Sequence, residues 1–218
     1  KPGYRTHTHY GTAGAIYAGV GGVEFAGTEA YESSAHTTVA SCVDCHMAPI
    51  TGASGGHTFK AKGNFNGCNA DGCHSDVDAT STSFWTAPRA EIKGYLDQLA
   101  GLLQIDGVSI LNKNPDAESN LWVSNTTGKF DGYLNIYDPI NNPDGPANNG
   151  NQFQNLSPSS SWSADQKAYN LTLPKITLTN AQMGSIINFQ LCLRDYSLGI
   201  HNMQYTKALL KNSIAVLD

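Results

Sequence analysis

The sequence predicts a mainly α-helical protein with a large irregular content. Three stretches, beginning near residues 88, 181 and 203, place apolar side chains at helical spacing. Long runs rich in Gly, Asn, Ser and Thr separate them and show neither helical nor strand periodicity. These patterns favour one structural domain, in which a cysteine-bearing segment (residues 1–80) packs with a helical and loop segment (residues 81–218).

The first predicted helix begins at Pro88, a residue suited to a first helical turn, and ends before Gly107 after about four turns. Its side chains at helical spacing are apolar or aromatic, as expected for a helix that packs on a core. They are Ile92, Tyr95, Leu96, Leu99, Leu102 and Leu103.

Two further helices have predicted N-caps. Ser163 is suited to cap a short helix that runs through Tyr169, and Thr179 a longer helix over residues 181–194. A last helix is predicted from about Met203 to Val216, where apolar residues again recur at helical spacing.

The long polar stretch over residues 107–162 predicts an irregular loop region, with a short extended piece at residues 133–137. Asp and Asn side chains at residues 141–146 have oxygen atoms of the kind that bind calcium, but their spacing matches no calcium loop. Plain turns are therefore the favoured interpretation of this run.

The most informative motif is Cys42-Val43-Asp44-Cys45-His46, a Cys-x-x-Cys-His run that is typical of c-type haem attachment. Two thiols at this spacing can each add to a vinyl group of one porphyrin. The histidine that follows then places an imidazole under the iron as an axial ligand. The motif predicts one covalently bound haem.

A looser copy of the motif occupies residues 68–74, where four residues separate Cys68 from Cys73 and His74 follows directly. The Cys-His pair that would ligate iron is intact. The sequence therefore predicts two covalent haems c and a cytochrome fold organised around them, because large flat porphyrins supply apolar core that the side chains of residues 1–80 do not.

The main alternative is a structural zinc site formed by the same four cysteines, with two knuckles joined by a loop. Haem is favoured over zinc because a histidine directly follows the second cysteine of both motifs, and a four-thiolate zinc site does not require either histidine. Disulfides between these sequence neighbours are the weakest interpretation, since a chain of 218 residues can bury a core without them.

Cys192 lies in an apolar run and is predicted to be a buried, unreactive thiol.

Composition narrows the class of partner. Only 14% of the residues are charged, the net charge is −5, and no Lys/Arg cluster occurs, so a nucleic-acid partner is not expected. No apolar run approaches the roughly 20 residues that span a bilayer, so no transmembrane segment is expected.

A polar surface of Asn, Ser, Thr and Gly favours an exported protein. Covalent haem attachment follows export, so the chain is expected to be a processed or trimmed product, with further motifs upstream as one expectation.

Seven histidines exceed ordinary structural needs, and five remain after the motif residues His46 and His74 are assigned. Two irons need two distal ligands. Our first choice is His57, which lies between the motifs beside two glycines that would let the backbone approach a flat ring. The other choices are His201, which could pin the C-terminal part onto the haems, and His36.

His7 and His9 are spaced to point the same way from an extended segment, and no haem of this chain is left for them. They are predicted either to serve a haem outside the chain or to be exposed histidines near a terminus.

Methionine is the other axial ligand type, but Met47 adjoins a proximal ligand, and Met183 and Met203 fall in predicted helices. Bis-histidine ligation, with low reduction potentials, is therefore favoured.

These stretches together resemble exported multihaem c-type cytochromes, and within that group the small cytochromes that polymerise into extracellular filaments. The resemblance rests on both motifs and on histidines at both ends of the chain. It comprises Ser34-Ala35-His36, Cys42 to Met47, Gly56-His57-Thr58-Phe59, Asn66-Gly67-Cys68 to His74, and Gly199-Ile200-His201-Asn202 to Leu210. The chain departs from those filament cytochromes in having two motifs, one of them widened, where they usually carry four or more haems.

The resemblance implies stacked bis-histidine haems that carry electrons along a fibre, at an extracellular or cell-surface location, with a periplasmic one as the alternative. Its implied partners are other cytochromes or copies of the chain itself, a terminal electron acceptor, and an adjacent subunit whose haem receives a histidine such as His7 or His9. We expect an electron carrier and not an enzyme, because two protein ligands per iron leave no open site for substrate.

Two other functions stay open. One is a multihaem reductase of nitrogen or sulfur oxyanions, in which one iron lacks its distal ligand. The other is a secreted zinc-bearing binding module whose helical part is its interaction surface.

Overall fold

The structure of the chain is a computed structural model that describes residues 6–112, 132–140 and 152–218. Helices account for 43% of the described residues and extended strands and bridges for 5%, with coil in between. The predicted fold class, mainly α with much irregular structure, is confirmed at this level.

The described residues form seven α-helices and one short hairpin. The helices are α1 (Thr12–Ala18), α2 (His36–Val39), α3 (Cys42–His46), α4 (Ala87–Leu102), α5 (Ala164–Thr172), α6 (Asn180–Arg194) and α7 (Met203–Leu217). The strands are β1 (Gln104–Ile105) and β2 (Val108–Ser109), which pair antiparallel with Gln104 opposite Ser109. A 3₁₀ turn covers Gly56–Thr58, and a π-helical turn over Thr82–Thr86 leads into α4.

The long helices begin where their capping signals lie. Pro88 occupies the first turn of α4. Ser163 and Thr179 both form capping boxes, in which the hydroxyl accepts a hydrogen bond from the backbone N–H three residues later, at 3.1 Å in each case. The predicted helix starts at Ser163 and Thr179, and the final helix from Met203, are confirmed.

The hydrophobic core lies where α4, α6 and α7 pack together. Ile92, Leu96 and Leu99 of α4 are fully buried, as the helical spacing predicted, and they belong to one cluster with Phe189 and Leu209. Cys192 is also in this core as a free thiol, and burial raises its pKa well above the ordinary value. The predicted burial of the Cys192 thiol is confirmed.

Buried amide side chains on α6 and α7 fasten the N-terminal segment, residues 6–34, to the helical core. Asn188 accepts a hydrogen bond from the N–H of Val23 at 2.7 Å and donates one to the C=O of the same residue at 2.8 Å. Asn212 makes the same pair of bonds with Glu29, at 3.2 and 2.9 Å. These amides complete the backbone hydrogen bonding of a segment that has no sheet partner here.

The piece predicted to be extended at residues 133–137 forms two isolated bridges, Leu134 with Leu111 and Ile136 with Phe153, so its extended character is confirmed. The run at residues 141–146, on which the calcium alternative rested, lies outside the described residues. In the described parts of the chain, no helix combines the length and the apolar character needed to cross a membrane.

Candidate functional site

The first cysteine motif is a single helical turn, α3. The N–H and hydroxyl of Ser41 both donate to the Asp44 carboxylate at 2.7 Å, and these bonds lower the pKa of Asp44. The turn leaves Cys42 exposed and Cys45 and His46 half-buried. The three side chains that the motif predicts to act on a haem are therefore accessible on one short helix.

The second motif accommodates its two additional residues in a closed loop. The N–H of His74 donates to the C=O of Cys68 at 3.0 Å, and the N–H of Cys73 donates to the C=O of Ala70 at 3.0 Å. Gly72 takes a left-handed conformation, φ 81°, which glycine adopts without strain. The loop surrounds an open depression of about 470 Å³ that is lined by Asn69 through Asp76, including Cys73 and His74.

The two motifs lie against each other. Burial raises the pKa of the Cys45 thiol first of all, and the nearby Cys68, Asp44, Cys73 and Cys42 raise it further. The closest backbone approach is at Gly67, where an added Cβ would lie 2.7 Å from both the Cys45 Cα and the Asp44 carbonyl oxygen.

Replacing Gly67 with alanine is therefore expected to separate the two motifs, because backbone atoms on the Cys45 side cannot move away as a flexible side chain would. We expect a lower thermal midpoint and a smaller fraction of chains that carry both predicted haems, measured by unfolding and by intact mass. Gly94→Ala is the matched control: it adds a methyl group into open space on α4, where alanine favours helix by about 1 kcal/mol. An equal loss in both variants would contradict the argument.

Two pairs of histidine rings form beside the cysteines. In the first pair, the ring centroids of His46 and His201 are 6.1 Å apart, with an angle of 31° between the ring planes. Nδ1 of His46 donates to the Phe59 carbonyl at 3.0 Å, and Nδ1 of His201 lies 2.5 Å from Oδ1 of Asp195. Phe59 also stacks on His46 at 4.7 Å. Both imidazoles are thus held through Nδ1, which leaves Nε2 as the nitrogen with the free lone pair.

In the second pair, the ring centroids of His36 and His74 are 6.0 Å apart at an interplanar angle of 89°. Nδ1 of His36 donates to the carbonyl of Ile200 at 3.0 Å, and Phe84 of the π-helical turn packs against His74 at 4.8 Å. Because Ile200 immediately precedes His201, the hydrogen bond from His36 places the two pairs side by side.

Asn202 links the two segments that carry His36 and His201. Its Oδ1 caps α7 by accepting from the N–H of Tyr205 at 3.3 Å, and it also accepts from the N–H of Ser34 at 2.9 Å. Ser34 is two residues from His36, and Asn202 is the neighbour of His201. One fully buried amide therefore links the segments that carry the two histidines.

The remaining histidines are not brought to the motif residues. His57 is exposed in the 3₁₀ turn, and its imidazole makes no ring contact or hydrogen bond with any described residue. The adjacent glycines serve the turn: Gly55 and Gly56 both have positive φ. His7 is half-buried beside the rings of Tyr10 and Tyr133, whereas His9 is exposed. The structure thus pairs the motif histidines with His201 and His36, not with His57, our first choice from sequence.

The segment that carries the motifs has almost no apolar core of its own. Between residues 36 and 86, the buried apolar side chains are those of Ala48 and Val77. Large apolar side chains in the same segment are instead exposed. They are Val39, Val43, Met47, Ile50, Phe59 and Phe84. These side chains are apolar surface that the described residues leave open to solvent.

Sequence reasoning missed Asp195, the carboxyl that holds His201. A carboxyl six residues before a histidine matches no known motif. The contact between Asp195 and His201 depends on a sharp reversal of the chain between α6 and α7. Tyr196, Leu198 and Gly199 in that reversal all have positive φ, of 60°, 53° and 89°. Non-glycine residues are uncommon in this conformation, and the pattern is hard to foresee from sequence.

Among the described residues, no three His, Cys, Asp or Glu side chains are arranged as a ready-made metal site. Comparison with family models, curated proteins and solved structures gave no match to this chain.

Proposed function

We propose that this protein is an electron-transfer protein that holds two c-type haems, each between two histidines. The observation that carries the proposal is the presence of two histidine pairs, at 6.1 and 6.0 Å, each made of one motif histidine and one histidine distant in sequence.

The spacing of the pairs fits ligation of one metal by both rings. An imidazole nitrogen binds a metal at about 2.0–2.1 Å, so two rings that share one ion through Nε2 have centroids about 6 Å apart. Both pairs have that spacing, and both lie next to the cysteines of a motif.

The hydrogen bonds at Nδ1 support the same interpretation. Histidines that bind metals usually donate their other ring N–H to a carbonyl or a carboxylate, which fixes the tautomer and the ring orientation. His46, His36 and His201 all have such a partner at Nδ1: the carbonyls of Phe59 and Ile200, and the carboxyl of Asp195.

The exposed apolar side chains around the motifs provide a third line of support. A porphyrin covering Val43, Phe59 and Phe84 would remove from water the apolar groups that this segment leaves uncovered. The cofactor would thereby replace the core that the segment lacks.

In this proposal, Cys42 and Cys45 hold the first haem between His46 and His201, and Cys68 and Cys73 hold the second between His74 and His36. The haems supply reversible one-electron chemistry of iron. The two histidine pairs would occupy the iron sites that a substrate would need, and the contact of His36 with Ile200 would place the two haems side by side. Both features suit a carrier of electrons and not an enzyme.

The finer proposal is an exported subunit that works with other cytochromes or with copies of itself, at the cell surface or as part of a filament. It rests on the resemblance of the motif-bearing stretches. Exposed His9 and half-buried His7 are two of the three histidines outside the pairs, and they are the ones proposed to serve a haem of another subunit. Negative-stain microscopy of the secreted protein tests this part: fibres would support it, and uniformly single particles would contradict it.

The main experiment counts haems in protein made by a host that attaches haem c. We expect a pyridine haemochrome spectrum and an intact mass equal to the chain plus two haems, with one haem lost in Cys42→Ser/Cys45→Ser and one in Cys68→Ser/Cys73→Ser. Cys192→Ala is the control and should keep both, since Cys192 lies in the helical core. Colourless protein, or protein that binds one zinc ion through four thiols, would overturn the proposal; a high-spin ferric signal in the wild type would favour the reductase alternative.

A further inference from the structure

Asp195 is the best-buried carboxyl near the histidine pairs. Only 3% of the residue is exposed, and its two oxygens have different partners: Oδ1 lies 2.5 Å from Nδ1 of His201, and Oδ2 accepts a hydrogen bond from the Ser197 hydroxyl. Ser197 in turn accepts from the backbone N–H of His201 at 3.2 Å. Carboxyl, hydroxyl and imidazole form a closed network behind one ring of the first pair.

The chain is bent sharply to make this network. Asp195 ends α6, and His201 lies two residues before α7, so the six intervening steps must reverse the chain. Tyr196 and Leu198 have left-handed conformations with φ of 60° and 53°, which cost free energy for residues with a side chain. The three hydrogen bonds of the network hold the reversal in this conformation.

His36 and His46, the other two paired histidines with a hydrogen bond at Nδ1, have no carboxyl partner there among the described residues. Nδ1 of His36 donates to the carbonyl of Ile200 and Nδ1 of His46 to the carbonyl of Phe59, both at 3.0 Å and both neutral acceptors. The distal rings of the two pairs therefore have different partners, a buried carboxyl at His201 and a peptide carbonyl at His36. The carboxyls beside His74, those of Asp71 and Asp76, are exposed, so solvent screens their charge.

We infer that Asp195 makes the two proposed haems unequal, by lowering the reduction potential of the haem attached to Cys42 and Cys45 relative to the haem attached to Cys68 and Cys73. This inference rests on the proposed function. A carboxylate that accepts the Nδ1 proton makes the imidazole a stronger electron donor to a metal at Nε2, which stabilises the ferric state. Its negative charge acts in the same direction, and burial reduces the solvent screening of that charge.

Asp195 is accordingly a positioning and tuning residue that acts through His201. The consequence is a direction of electron flow within one chain, from the haem between His46 and His201 towards the haem between His74 and His36. Each transfer is a balanced one-electron exchange, in which the first iron is oxidised and the second is reduced.

The test is a redox titration of the intact two-haem protein, followed by absorbance, with Asp195→Asn as the main variant. Asparagine keeps the size of the side chain and can still accept the Nδ1 proton, but it removes the negative charge. We expect the midpoint potential of one haem to rise while the other stays unchanged, with both irons low-spin. Asp195→Glu, which restores a carboxylate, should return the potential towards the wild-type value.

Asp106→Asn is the matched control, because it removes the same charge from an exposed position in the turn between β1 and β2. His36→Met assigns the signals: it should raise the potential of the Cys68/Cys73 haem only, since methionine raises potentials relative to histidine.

Two haems with unchanged potentials in Asp195→Asn would overturn the inference and leave the proposed function standing. The same holds for equal shifts in Asp195→Asn and Asp106→Asn. Loss of the low-spin signal in Asp195→Asn would also overturn it, because Asp195 would then be needed to hold His201 in place and not to tune it. Absence of covalent haem from the wild type would instead remove the proposed function itself.

Discussion

Replacing His201 with alanine is expected to leave both haems attached but to convert one of them from low-spin to high-spin. The cysteines would still hold the porphyrin, whereas the iron would lose the ring that lies 6.1 Å from His46. Electron paramagnetic resonance of the oxidised protein should show high-spin ferric iron at about half of the haem content. The intact mass should decrease only by the difference in mass between histidine and alanine.

His36→Ala is expected to have the same effect on the other haem, and the double variant should have no low-spin iron. The control is His57→Ala, because His57 is exposed and contacts no described residue through its ring. High-spin iron in His57→Ala, with wild-type spectra in His201→Ala, would show that the distal ligand is His57 and that the pairs seen here are not the ligand pairs.

Replacing Asn188 with leucine is expected to cause a large loss of stability for a substitution outside the site. Leucine fills a similar volume but leaves the N–H and C=O of Val23, and the hydroxyl of Ser213, without the amide that now bonds to them. Each unsatisfied buried group costs about 1–3 kcal/mol, but Val23 is half-buried and water can replace part of its lost bonding, so we expect a decrease of about 2–4 kcal/mol in the free energy of unfolding. Chemical denaturation followed by circular dichroism measures it.

Asn180→Leu provides the comparison, because Asn180 is an exposed residue of the first turn of the same helix. It should unfold within about 0.5 kcal/mol of the wild type, as surface substitutions usually do. If Asn188→Leu were equally neutral, the N-terminal segment would not depend on the buried amides, and its attachment to α6 would need another explanation.

Local signals in the sequence were sufficient for the helices. Pro88, Ser163 and Thr179 start α4, α5 and α6 through contacts within one turn, and such contacts do not depend on the rest of the fold. The short helices α1 to α3 and the two-residue strands were not predicted. They are too short for periodicity to be visible, and the surrounding structure decides their conformation.

The residues proposed to attach haem could be named from the sequence because Cys42, Cys45 and His46 are close together, as are Cys68, Cys73 and His74. Their attachment of haem stays a prediction. The partners of the two motif histidines were not, because they lie far from them in sequence. His57 was the natural choice on sequence proximity, yet the chain brings in His36 from before the motifs and His201 from near α7. The links that do so, such as Asn202 with Ser34, are hydrogen bonds between residues 168 positions apart.

The hydrogen bond from His36 to the Ile200 carbonyl has a consequence for substitutions near it. Ile200 and His201 share a peptide bond, so a displacement of the turn between α6 and α7 alters the distal ring of one pair and the support of the distal ring of the other. A substitution that displaces this turn would therefore disturb both histidine pairs. Under the proposed function, it would alter both haem sites, whereas a change of charge that leaves the turn in place would act on the first site alone.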